Sequence, residues 1–109
     1  MKTIIRQGET FRRVLKFTNH KTGKIIDLSN CEAYCQMRDK PGGFLISTAQ
    51  CDIDTNLGTV SAFFTSEQTK KFPIGNAGYD ILLVSDQDKR IVYSETVCIE
   101  QSYTENIGE

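Results

Sequence analysis

Apolar and polar residues alternate in short runs along most of the chain, and clusters of Gly, Asn, Asp and Pro separate the runs, a period-2 pattern that predicts strands nearly throughout. Ile4 and Ile5 mark a short first strand ending at Gln7-Gly8. Residues 9–18 put Phe11, Leu15 and Phe17 on one face with Arg13 among them, and Arg13 is expected to sit at a sheet rim and extend its charge to water. A hairpin loop over 19–23, with Gly23 free to take a positive φ, leads into a strand over 24–28. Residues 31–38 alternate with Cys31, Ala33, Cys35 and Met37 inward. The Pro-Gly-Gly cluster of 39–43 is the strongest turn signal in the chain.

The pattern then predicts one strand over 45–53, with Leu45, Ser47, Ala49, Cys51 and Ile53 on one side and room for a break near Gln50. A turn over 54–58 precedes a strand with Val60, Ala62 and Phe64 inward. Residues 65–72 depart from the alternation. A Ser or Thr cap followed by Glu and Gln predicts one short helical turn, stopped by Pro73 and too short to be a packing layer. Gly75 and Gly78 bracket a loop, and the strand over 79–85 is apolar on both faces, so it belongs at the centre of its sheet or under a loop that covers one end. After a turn at 86–88, a long last strand over 89–101 aligns Ile91, Tyr93, Val97 and Ile99, and the tail over 102–109 is expected to fray. About seven strands and one short helical turn point to an all-β Greek-key sandwich, with a small barrel as the alternative.

The 109 residues suffice for one domain, taken as 1–109, and leave no room for a second core. With 39% hydrophobic and 25% charged residues the composition is that of a globular domain. No apolar run approaches the roughly 20 residues of a membrane helix, and the N-terminus lacks the apolar stretch of a secretory signal, so synthesis in a cytoplasm and no membrane partner are expected. Net charge is -1 but uneven: residues 1–40 carry nine basic and four acidic groups, residues 41–109 four basic and ten acidic. Those two halves become either neighbours that neutralise each other or two faces that steer head-to-tail association into a homo-oligomer. Lys16, Lys21 and Lys24 are spread over a strand and a turn rather than gathered in a stripe, which argues against nucleic-acid binding.

Candidate chemistry is sparse. Cys31, Cys35, Cys51 and Cys98 form no CxxC pair, so the reading is four small buried hydrophobes, reduced in the native protein, rather than a zinc site. Cys31 and Cys35 are about 13 Å apart on an extended strand and cannot bond each other. The single His20 lies in a turn, where its orientation is poorly fixed for catalysis. Asp52, Asp54, Asp86 and Asp88 could supply oxygen ligands for calcium, but neither pair belongs to a calcium loop, and a polar hairpin is the simpler reading. Gly42-Gly43 has no Lys-Ser or Lys-Thr after it and makes no phosphate loop. No residue is assigned to catalysis, to a cofactor or to a metal, and no interface residue is named. Tyr34, Tyr79, Tyr93 and Tyr103 keep open a carbohydrate- or cell-surface-binding module, provided two of them share one flat exposed face.

The runs RQGETFRRVLKF, IIDLSNCEAYCQMRDKPGG, GTVSAFFTSEQTKKFPIGNAGYDILLV and RIVYSETVCIEQSYT, taken in order, resemble the immunoglobulin-like domains of tailed-phage virion proteins. The chain is similar in particular to the N-terminal domain of the baseplate upper protein family over roughly residues 4–104. The resemblance implies an Ig-like sandwich and a non-enzymatic structural or attachment role in the virion, at the tail, baseplate or capsid surface. Its partners would be other virion proteins and further copies of itself, and it carries over no catalytic residue. One departure stands out: Glu95, in Tyr93-Ser94-Glu95-Thr96, occupies a place where such domains often carry glycine.

Overall fold

A computed structural model describes residues 2–104. Eight strands and one helical turn follow in the order β1 (Thr3–Arg6), β2 (Phe11–Lys16), β3 (Glu32–Arg38), β4 (Leu45–Thr48), β5 (Gln50–Asp54), β6 (Thr59–Phe64), α1 (Ser66–Lys70), β7 (Gly75–Val84) and β8 (Lys89–Glu100). They form a five-stranded sheet ordered β1-β8-β7-β3-β4 and a three-stranded sheet ordered β2-β6-β5. Pairing is antiparallel except between β1 and β8, which run parallel with Ile5 opposite Ile99. The inward positions of both sheets meet in one core that includes Ile5, Cys35, Met37, Val60, Phe64, Ile81, Val97 and Ile99. Phe11 of β2 meets Tyr79 of β7 edge-on at 5.8 Å across the two sheets, and Phe64 of β6 meets Phe72, after α1, at 5.4 Å. The chain is therefore all-β and two-layered, and β7, flanked by β8 and β3, is central as its two apolar faces predict.

The helical turn is set by a capping box: the Gln68 N–H donates to Thr65 Oγ1, and the Thr65 N–H donates to Gln68 Oε1. It closes one end of the sandwich, because Thr69 is fully buried and donates to the Glu9 carbonyl at 2.6 Å, while Ser66 donates to the Gly8 carbonyl at 2.7 Å.

Several expectations are corrected. The single strand over 45–53 is two strands in different sheets; the chain crosses over at buried Ala49, whose N–H donates to the Cys35 carbonyl at 2.9 Å, and Leu45 ends up exposed instead of inward. Residues 24–28 form no strand beyond an isolated Thr18–Ile25 bridge, which the Asn19 N–H to Lys24 carbonyl (2.8 Å) and Ile26 N–H to Phe17 carbonyl (3.1 Å) bonds flank after a 19–23 turn held by the Asn19 carboxamide. Residues 75–78 are not a loop but the start of β7, paired with 96–99 of β8, and Gly78 lies so close that a Cβ there would stand 3.3 Å from the Glu95 carbonyl oxygen. A bulge opposite Ile81 and Leu82 shifts β8 by one residue, turning Ile91 outward and Val92 toward the core. In the tail expected to fray, Ser102 donates to the Gln7 carbonyl at 2.6 Å and Tyr103 is fully exposed, while residues 105–109 lie outside the described residues.

Candidate functional site on the outer face of the five-stranded sheet

The register of β3, β7 and β8 places side chains in rows across the outward face of the larger sheet. Glu32, Val84 and Lys89 form one row, Tyr34, Leu82 and Ile91 the next, and Gln36, Asp80 and Ser94 a third. Tyr34 and Ile91 are each 49% exposed, so an apolar bar crosses three strands near one end of this face. The Tyr34 hydroxyl donates to the Glu32 carboxylate, which holds the ring against its own strand.

Beside the bar, toward Gly78, the sheet opens into a cleft of about 730 Å³. Gly78 supplies a bare stretch of floor between Arg38 and Thr96, and the 39–42 turn raises one wall. The lining is more apolar than polar, but several of its polar side chains are tied down. Arg38 donates through Nη1 to the Gly43 carbonyl (2.8 Å) and through Nη2 to Gln36 Oε1 (2.9 Å), and Lys2 Nζ donates to Asn76 Oδ1 at 2.9 Å. Fixed donors and acceptors on an open floor can hold a polar partner surface in register.

Under this face, between the sheets, lies a polar clamp. Arg13 of β2 donates through Nε and Nη2 to both carboxylate oxygens of Glu95 on β8 (3.1 and 3.0 Å), and Nη2 also donates to Thr3 Oγ1. Thr3 and Tyr79 donate their hydroxyls to the same carboxylate. Burial pulls the Glu95 carboxyl upward, but hydrogen bonds from Arg13, Thr3 and Tyr79 together with the Arg13 charge outweigh it and hold the group below its usual value. The Glu95 hydrogen bond raises Arg13 above its already high value, and burial followed by Glu95 raises Tyr79. Arg13 does lie on an edge strand with its side chain 32% exposed, as expected, but it does not simply extend its charge to water: it forms a cross-sheet ion pair with Glu95, whose side chain is 15% exposed. Glu95 was legible as a candidate: it shares the inward parity of Tyr93, Val97 and Ile99, and an arginine on an apolar face needs an inward acid.

The other sequence candidates scatter. His20 is exposed in the 19–23 turn. Asp54 accepts from the N–H groups of Asn56 and Leu57 in its own turn, and Asp88 pairs with Arg90. Among the described residues no three His, Cys, Asp or Glu side chains are placed to hold a metal ion. Tyr79 is buried and Tyr93 half-buried against it, while Tyr34 and Tyr103 lie toward opposite ends of the larger sheet, so no two tyrosines form a flat exposed platform. All four cysteines are free thiols; Cys35 is buried, Cys31 and Cys51 pack against the core, and Cys98 lies half-buried on an outward position of β8 rather than in the core. No protein-family model matches the chain, and no curated protein matches it.

Proposed function

We propose that the chain is an immunoglobulin-like Greek-key domain serving as a non-enzymatic structural or attachment component of a tailed-phage virion, at the tail, baseplate or capsid surface, through protein–protein contacts. Two lines support the fold part of this reading. The strand order, with β7 between β3 and β8 in one sheet and β2-β6-β5 in the other, fits the two sheets of variable-type Ig domains. The sequence runs quoted above resemble virion domains of that type.

The observation that carries the functional part is the outward face of the five-stranded sheet. An exposed apolar bar set beside a cleft that combines apolar surface with anchored polar side chains is the mixture found in contact surfaces. Further copies of the chain and other virion proteins are its proposed partners, and the virion its proposed location. The test is mass spectrometry of density-purified phage particles from the host that carries this gene. The chain is expected as a stoichiometric particle component; its absence from infectious, purified particles would overturn the virion reading.

A further inference from the structure

We infer that the outward face of the five-stranded sheet docks a second copy of this chain, face to face about a two-fold axis running along β7. This inference concerns the protein alone and does not depend on the virion reading.

The rows across the face are the reason. A two-fold axis lying over β7 and parallel to it keeps each row in place along the strand while laying β3 of one copy over β8 of the other. The row Tyr34, Leu82, Ile91 then meets itself reversed: Leu82 packs on Leu82 of the second copy, and each Tyr34 ring covers an Ile91 side chain. The neighbouring row Glu32, Val84, Lys89 does the same, so each Glu32 carboxylate faces a Lys89 ammonium across the contact and Val84 meets Val84. The face is therefore self-complementary in charge as well as apolar at its centre, as a two-fold contact between identical surfaces requires. Among the described residues Lys89 forms no ion pair within its own chain and Glu32 is engaged only by the Tyr34 hydroxyl. Sheets stacked in this way stand about 10 Å apart, close enough for long side chains to bridge.

The next row sets the limit of the contact. Asp80 lies near the axis at the mouth of the cleft and would face its own copy, so the sheets part there and the cleft stays open to water. Removing that repulsion by Asp80→Asn is expected to tighten the dimer.

The experiment is sedimentation equilibrium of the full chain over a wide concentration range, with circular dichroism confirming the fold of each variant. The unaltered protein is expected to dimerise reversibly. Glu32→Lys and Lys89→Glu each place like charges opposite one another and are expected to raise the dimer dissociation constant by about tenfold or more. The double variant E32K/K89E restores opposite charges and is expected to recover most of that loss. Ile91→Ser, which leaves the charges alone, should also weaken the dimer. A protein that stays monomeric at every concentration, a dimer indifferent to all these substitutions, or a double variant no better than the single ones would each overturn the inference.

Discussion

Glu95 accepts four hydrogen bonds, two from Arg13 and one each from Thr3 and Tyr79, so replacing it with alanine strands the donors of three side chains at once. Removing one member of a fully buried ion pair costs about 3–5 kcal/mol, but Arg13 still reaches water, and about 2 kcal/mol is the expected loss in urea unfolding at neutral pH. The same residue sets a pH dependence. Because the carboxyl lies lower in the folded chain than its usual 4.5, its contribution is complete above that value and disappears as pH falls through the lower folded value. Urea midpoints taken from about pH 7 down to about pH 3 should therefore fall further for the unaltered protein than for Glu95→Gln, and parallel curves would show that the clamp is not linked to folding. The thiols give a second residue-scale test. Burial pushes Cys35 up to about 12, with Cys51 and Asp80 adding to the effect, and burial likewise raises Cys51. Cys35 should be silent to a thiol reagent at mild pH, while all four cysteines react in denaturant without reductant; fewer than four would reveal a disulfide.

The helical turn and the 54–58 turn were both readable from sequence, since capping chemistry and a Gly after Asp-Thr-Asn-Leu act locally. Thr65→Ala removes the cap of α1 and is expected to cost about 1 kcal/mol in thermal or urea unfolding. Gly58 takes φ +66°, and a Cβ there would stand 2.3 Å from Ile25 Cγ2, so Gly58→Ala should cost about 1–2 kcal/mol from backbone strain alone and more from the clash. Elements that depend on distant partners were less legible. The alternation over 45–53 could not show that β4 and β5 belong to different sheets, because Ala49 is fixed by a hydrogen bond to Cys35, on another strand. The bulge in β8 likewise depends on its pairing with β7, and it alone turns Ile91 outward.

At the scale of the molecule, part of the charge imbalance between the two halves of the chain is neutralised inside the fold. Arg6 pairs with Glu100 at 3.6 Å and Arg13 with Glu95 at 3.0 Å, each joining the basic first half to the acidic second. Part of what survives is carried on the smaller sheet, whose outward face has Arg12 and Lys16 along the free edge of β2 and Asp52 and Asp54 along the free edge of β5. Opposite charges on two unlike edges favour head-to-tail contact, and the same charges keep the edges from pairing indiscriminately. Species heavier than a dimer should therefore be most abundant at low salt and disappear by about 0.5 M salt, where charges are screened within a few ångströms, while the dimer formed through the apolar bar persists. Sedimentation velocity over a salt series separates the two contacts. Far-UV circular dichroism should be β-rich, and a helical share above about a quarter would exclude the two-sheet arrangement.

By itself the sequence determined the local terms: strand alternation, the inward set Cys35, Met37, Val60, Ala62, Phe64, Val97 and Ile99, the capping box and the tight turns. Each of these follows from the periodicity of a strand or from groups within a few residues of one another, so the pattern is complete in the chain. Only the tertiary structure decided which strands pair, where the chain changes sheet, that Arg13 finds Glu95, and that Tyr34, Leu82 and Ile91 line up across three strands. Those outcomes depend on register between segments far apart in the chain, such as Arg13 and Glu95, 82 residues apart, and register is set by how the whole core packs rather than by any local preference.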